Sequence, residues 1–373
     1  MKTAIKTPAK KSFQLSIITV LLLMLIAGQT AFGKTIYVKE GASGTGVSWV
    51  DAYGLLQDAL DNADSGDNIW VSAGTYMPTT EVGGSGSRYQ SFQMKNFVAI
   101  YGGFAGTETR FGQRDVQNNI TVLSGDIGVP DDPNDNCFHI FYHPDDLALD
   151  PNAILDGFTI TAGNADGSGD QNGGGMYNGN NSPTVTNCIF SGNSALNYGG
   201  GIYTTVSLTI TDCILSDNSA NGEMAAGGGI YSTVSLTMMD CTLSNNSANG
   251  DMAVGGGIYT TASLTMTDCT LSGNSANGEM AADGGGIFTT ASLTMTDCTL
   301  SNNSANGEMA ADGGGIYTTA SLTMTDCTLS NNSANGDMAD GGGIYTTAIL
   351  TMTDCILSDN SVNGDTADGG GIY

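Results

Sequence analysis

The sequence predicts an all-β fold, a parallel β-helix (β-solenoid) whose N-terminal end is covered by a capping helix. Three observations carry this. A repeat of about 28 residues fills the second half of the chain, apolar residues within each copy recur with a period of two, and one stretch with helical spacing precedes the first strand candidates.

The repeat fixes the architecture. Aligned on a glycine triplet and the apolar residue after it, Met176, Ile202, Ile230, Ile258, Ile287, Ile316, Ile344 and Ile372 follow one another at 26, 28, 28, 29, 29, 28 and 28 residues. Cys188, Cys213, Cys241, Cys269, Cys298, Cys327 and Cys355 keep step. In "SLTMTD" Leu264 and Met266 share a face, with Thr265 and Thr267 opposite. In "CTLS" Cys269 and Leu271 share a face, so the phase slips at Asp268, which marks a corner. A third short strand, Ile258-Tyr259-Thr260, follows the glycines. Each copy is therefore expected to give three short strands joined by Gly, Asn, Asp and Ser corners. A single copy cannot bury its apolar face alone, so neighbours must stack, each residue about 4.8 Å above its equivalent.

Stacking creates columns of like side chains. Ile202/230/258, Leu236/264/293 and Met238/266/295 are expected to form a dry interior. Asn246, Asn274, Asn303 and Asn332 sit where amides can chain hydrogen bonds up the inner side of a corner. The eight cysteines of an exported chain raise disulfides as one reading. Stacked side chains that point in parallel suit a disulfide poorly and do not converge on zinc. The favoured expectation is a buried column of free thiols at Cys213, Cys241, Cys269, Cys298, Cys327 and Cys355, behaving as small hydrophobes.

The paired signals "GGGI" and "[FL]xxN" (Phe190…Asn193, Leu215…Asn218, and so on to Leu357…Asn360) resemble the polymorphic outer-membrane protein repeat, with its GGA[ILV] and FxxN elements. Glycine replaces the alanine, and leucine replaces phenylalanine after the first copy. Residues 34–178 are similar to the leading part of secreted bacterial right-handed β-helix proteins, through "IYVKEGASGTGVSWVDAYGLLQDAL", "SGDNIWVSAGTY" and "VAIYGGFAGTET". The resemblance implies a right-handed helix of the pectin-lyase-like superfamily, export, and display at a bacterial outer-membrane surface.

Three segments are expected. Residues 1–33 read as a signal peptide: four lysines, an apolar run from Ser16 to Gly28, then Ala31 and Gly33 before the cleavage point. The run is too short to span a bilayer comfortably, so membrane insertion by this segment is not expected. Residues 34–172 should hold the cap and the first irregular rungs. Ser48-x-x-Asp51 reads as a capping box opening a helix from Trp49 to Ala63, with Trp49, Ala52, Tyr53, Leu56, Ala59 and Leu60 on one face. Strand candidates follow at 69–71, 98–101, 120–123, 138–142 and 154–161, with long loops at 77–95 and 126–136. Residues 173–373 are the tandem copies. The chain stops inside a copy, which reads as truncation.

Composition narrows function. The chain carries 37 acidic and 10 basic residues, formally −27, and 29 of the carboxylates but no Lys or Arg follow Arg114. Without a cationic footprint nucleic acid is excluded as a partner. The acidic connection in each copy aligns Glu279, Glu308, Asp337 and Asp365 in one row and Asp283, Asp312, Asp340 and Asp368 in another. Like charges this close repel unless screened. Two readings follow: a solvated acidic edge, which is favoured, or calcium held by these rows and by Asp126, Asp131, Asp132 and Asp135. His139 and His143 read as incidental loop residues. The outward Thr-x-Thr rows (Thr265/Thr267 and equivalents) allow an ice-binding array as a minor alternative. The reading adopted is a secreted, non-catalytic structural or adhesive repeat protein, binding extracellular glycans or surface proteins multivalently. The alternative is a carbohydrate-active lyase or hydrolase with its site in the early rungs, where Arg88, Arg110 and Arg114 lie.

Overall fold

A computed structural model describes residues 33–373; the expected signal peptide, apart from Gly33, lies outside the described residues. The chain winds as a right-handed parallel β-helix, and every strand-to-strand pairing in the stack is parallel. One face is an 11-stranded sheet running from Thr35–Val38 to Leu350–Thr353, so the early rungs and the repeats share a single ladder. The columns inferred from the repeat are present. Leu264 lies between Leu236 and Leu293, Met266 between Met238 and Met295, and Ile258 between Ile230 and Ile287. All these side chains are at most 1 % exposed.

Local chemistry sets the corners. Asp212, Asp240, Asp268, Asp297, Asp326 and Asp354 all hold a left-handed backbone with φ of 52–54°. Aspartate tolerates that conformation because its short carboxylate can satisfy nearby backbone groups. The glycine triplet has two separate causes. Gly255 has φ +62°, which disfavours any side chain, whereas a Cβ on Gly257 would lie 2.6 Å from the Gly286 carbonyl oxygen of the next rung. The second cause explains why glycine stands where the related repeat carries alanine.

Four expectations need correction. Each copy adds a fourth face to the expected three: Ser275–Asp283, which takes in the expected acidic loop, is a nine-residue strand of a 12-stranded sheet. In other copies the same stretch is split in two, as Ser304–Gly307 and Ala310–Asp312. This face buries its own alanine column, Ala248, Ala276, Ala305 and Ala334, each 0 % exposed. Alanine carries too little apolar surface to show as a hydrophobic stripe, so the period-two pattern passed unnoticed. Second, the capping helix spans only Leu56–Asn62. Gly54 falls in the middle of the expected run and its Cα abuts the Ala42 carbonyl. Ser48 and Asp51 instead close a turn, with Asp51 N–H donating to Ser48 Oγ at 3.2 Å, and Tyr53 bridges to Val38. The apolar face survives: Leu56, Ala59 and Leu60 join the core at the first rung. Third, the 154–161 candidate breaks at Gly157, φ +86°, into Ile154–Asp156 and Thr159–Thr161 on different faces. Fourth, the 138–142 strand is confined to Phe141–His143.

The inner asparagines form a closed hydrogen-bond chain. Asn246 Nδ2 donates to Asn274 Oδ1, Asn274 Nδ2 to Asn303 Oδ1, and Asn303 Nδ2 to Asn332 Oδ1, each at 2.9 Å. The second amide proton of Asn274 goes to the Leu243 carbonyl at 3.0 Å, and its Oδ1 also accepts the Asn246 backbone N–H at 3.1 Å. Every one of these groups is buried, so each needs its partner. Asn274→Ala is expected to lower the unfolding free energy by about 3 kcal/mol, because two N–H donors and a carbonyl are orphaned at about 1–3 kcal/mol each, partly offset by relaxation. The outward Asn277→Ala should cost less than about 1 kcal/mol. Urea denaturation of the two variants checks the difference.

Candidate functional site

The outer surface is a set of columns, since residues that alternate with the buried ones point to solvent at every rung. The strand after each glycine triplet presents aromatics. Tyr142, Tyr177, Tyr203, Tyr231, Tyr259, Phe288, Tyr317, Tyr345 and Tyr373 stack with centroids 4.7–5.3 Å apart and planes 3–23° from parallel. This column was legible as a repeated Tyr but carried no chemistry in the sequence reading. Its rings cover one another's faces, so solvent meets ring edges and hydroxyls. Burial holds the Tyr317 phenol up at about 12, with the Asp283 carboxylate adding to it.

Asp283, Asp312, Asp340 and Asp368 are in direct register, as the spacing required. Asp283 stacks on Val254 below it and Asp312 above it. Burial, then repulsion from Asp312, pushes the Asp283 carboxyl up to about 7; the same causes, with Asp340 as neighbour, push Asp312 up to about 6. The companion row, Glu279, Glu308, Asp337 and Asp365, is exposed along its whole length.

Of the remaining calcium candidates, Asp126, Asp132 and Asp135 each give one oxygen to their own loop. Asp126 Oδ1 and Asp135 Oδ1 are buried without a hydrogen-bond partner. Asp126 Oδ2 accepts the Asp131 N–H at 3.1 Å, Asp135 Oδ2 accepts the Val129 N–H at 2.7 Å, and Asp132 Oδ1 accepts from Asn134 N and Nδ2. Asp131 itself takes a left-handed backbone, φ +66°. Among the described residues no group of three or more His, Cys, Asp or Glu side chains is gathered so as to hold a metal ion.

Both histidines are buried, which corrects the expectation of incidental loop residues in part: His143 lies on the strand Phe141–His143, whereas His139 is on the loop that leads into it. His143 is fully buried, its Nδ1 3.2 Å from Asn178 Oδ1 and its Nε2 accepting the Met94 N–H, and burial pulls it down to about 4. His139 is 3 % exposed, stacks on Tyr142 and sits 3.0 Å from the Gly173 carbonyl through Nδ1. The cysteines form the anticipated column of free thiols, buried from Cys188 to Cys327 and half-buried at Cys355. Each thiol donates to the carbonyl two residues back, as Cys269 does to Thr267 at 3.2 Å. The thiol of the preceding rung, together with burial, raises Cys269 and Cys298 to about 11, against an opposing pull from the thiol of the following rung.

A groove of about 550 Å³ runs from the early rungs onto the first tandem copies, lined in part by Gln117, Thr121, Asn187, Asp212 and Asp240. Of the arginines there, two are committed to structure. Arg114 Nη2 contacts both Asp156 carboxylate oxygens at 2.7 Å and its guanidinium lies 4.7 Å from the Phe111 ring centre. Arg88 is held by the Asn136 and Asn164 carbonyls and Asp166. Arg110 is exposed.

Architecture and columns define a β-helix repeat protein. The family described as right handed beta helix region matches residues 255–373, and the Chlamydia polymorphic membrane protein repeat matches residues 187–205. No curated protein matches the chain. The protein is therefore a right-handed parallel β-helix, similar over residues 255–373 to the first family and over residues 187–205 to one polymorphic membrane protein repeat.

Two outcomes are expected. A carboxyl whose folded pKa is raised contributes stability that is full below its unfolded value, near 3.8, and lost as pH rises through the folded value. The melting temperature should therefore fall as pH is raised from 5 to 8, and Asp283→Asn with Asp312→Asn should flatten that slope in differential scanning calorimetry. The depressed carboxyls, Glu108, Asp115, Asp132 and Asp170, act in the opposite sense only below about pH 4. Chelation with EDTA should leave the melting curve unchanged; a fall would show that calcium is bound, on an acidic row or on the Asp126–Asp135 loop.

Proposed function

We propose that this chain is a surface-exposed, non-catalytic adhesive or structural repeat protein of a bacterium, presenting a long acidic face for multivalent binding of glycans or surface proteins. The observation that carries the reading is repetition in register: an exposed threonine, a tyrosine and a carboxylate recur in column along the tandem copies, as Thr265 on Thr237 and below Thr294. Phe288 is a break in the tyrosine hydroxyls, and Val254 lies below the first aspartate of its column. Catalysis needs one constellation that differs from its surroundings, whereas a repeated weak contact gains through effective concentration. The polymorphic membrane protein repeat supports display at the cell surface. Rings that cover one another leave hydroxyls rather than aromatic faces for a glycan, so hydrogen bonding rather than stacking would hold a sugar chain. Excision of two whole copies, residues 258–315, should preserve the circular-dichroism spectrum. It should also weaken binding to an immobilised glycan and matrix-protein panel by roughly tenfold or more. Binding indifferent to copy number would overturn the reading.

A second reading rests on the groove that starts in the early rungs. Asp212 and Asp240 are one rung apart at its wall, a separation near that of paired carboxylates in retaining glycoside hydrolysis, about 5 Å. A polysaccharide panel tests it: hydrolysis abolished by Asp240→Asn, or elimination from a polyuronate abolished by Arg110→Ala, would favour an enzyme. Arg114→Ala is no diagnostic, since it breaks the Asp156 ion pair whatever the function.

A further inference from the structure

The fourth face exposes something the packing does not explain. Met224, Met252, Met280, Met309 and Met338 are 42–58 % exposed on five consecutive rungs, each within one residue of the same register position. At the equivalent exposed strand positions of the neighbouring face the chain uses threonine throughout: Thr237, Thr265, Thr294, Thr323 and Thr351. A strand has no intrinsic need for methionine there, because β-branched residues fit an exposed pleat better. Methionine at these positions instead brings a soft thioether sulfur.

The methionines follow one another rung by rung. Met224 pairs in register with Met252; Met309 N–H donates to the Met280 carbonyl at 3.1 Å, and Met338, in register with Ala310, donates its N–H to the Met309 carbonyl at 3.0 Å. Met280 is set against Met252 across a bulge, since Met252 is in register with the adjacent Ala281. A metal–sulfur bond is about 2.3 Å long, so a linear sulfur–metal–sulfur bridge spans about 4.6 Å, close to the rung spacing of about 4.8 Å. Thioethers select soft cations, copper(I) above all, over calcium, magnesium or zinc. Each methionine follows a carboxylate in the chain (Glu223, Asp251, Glu279, Glu308, Asp337), which lends the column a potential that attracts cations.

We propose that the outward methionine column is a binding site for soft monovalent metal ions of the copper(I) class, each bridged between thioether sulfurs of successive rungs. The cysteine column has the same spacing, but its thiols are closed off in the core and already donate to backbone carbonyls. The site does not depend on the adhesive reading.

Silver(I), which is soft, monovalent and redox-stable, is the probe. The protein is labelled with ¹³C at its methionine methyls and titrated with silver nitrate. The methyl resonances of Met280, Met309 and Met338 should shift, while those of the buried Met238, Met266, Met295 and Met324 stay in place as internal controls. Met309→Leu, which keeps the apolar volume, should remove at least one silver ion in native mass spectrometry. Exposed methyls unmoved while silver is consumed would assign the metal to the thiols and overturn the site. Movement of the buried methyls together with the exposed ones would mean that silver opens the stack, and uptake unchanged in Met280→Leu/Met309→Leu/Met338→Leu would overturn it equally.

Discussion

Parallel hydrogen bonding between rungs, with one residue held directly above its equivalent, is the constraint on which the rest of the molecule depends. Once Leu264 is pinned between Leu236 and Leu293, every other residue of the copy must also meet its own counterpart. For apolar groups this is favourable at no further cost, because identical side chains in identical rotamers pack into a dry column. For asparagine it is favourable because an amide is both donor and acceptor and can bond to a copy of itself indefinitely. A second such ladder runs outside, from Asn221 through Asn249 and Asn277 to Asn306, at 2.8 Å per step.

For carboxylates the same constraint is adverse. An ionised aspartate has no hydrogen to share with its copy, and the stack cannot offset it with a lysine, since none follows Lys95. The chain meets this in three ways. The corner aspartates and the glutamate row face solvent, where water screens them. Asp156, in the early rungs, is neutralised by Arg114. Asp283 and Asp312, partly buried, hold their protons to unusually high pH. Repulsion retained along the surface keeps like stacks apart in solution and gives the face its electrostatic character.

How far the sequence could be read depended on how strongly a residue type marks its environment. Large apolar residues at a period of two located the columns through Leu264, Met266, Cys269 and Leu271, and the FxxN-type spacing located the asparagine ladder. Alanine marks burial weakly, so the fourth face and its column from Ala248 to Ala334 were read as a loop. A helical spacing of apolar residues survives in a turn, so Trp49–Tyr53 carries a helical pattern although the backbone at Gly54 packs too close to the Ala42 carbonyl to admit a Cβ. The histidines read as loop residues because two polar side chains beside a charged loop give no sign that His143 points inward at Asn178.

The sequence by itself determined the repeat, its period, its inner columns and its charge, because these follow from which residue types recur and at what spacing. Only the tertiary structure decided what faces what across the rungs. It turned the acidic loop into a strand, set the tyrosines ring upon ring, tied Arg114 to Asp156, and left the methionines outward in a row. Those relations connect residues about one rung, or 25 to 45 positions, apart, and their geometry is fixed only when the copies are stacked to within a hydrogen-bond length of one another.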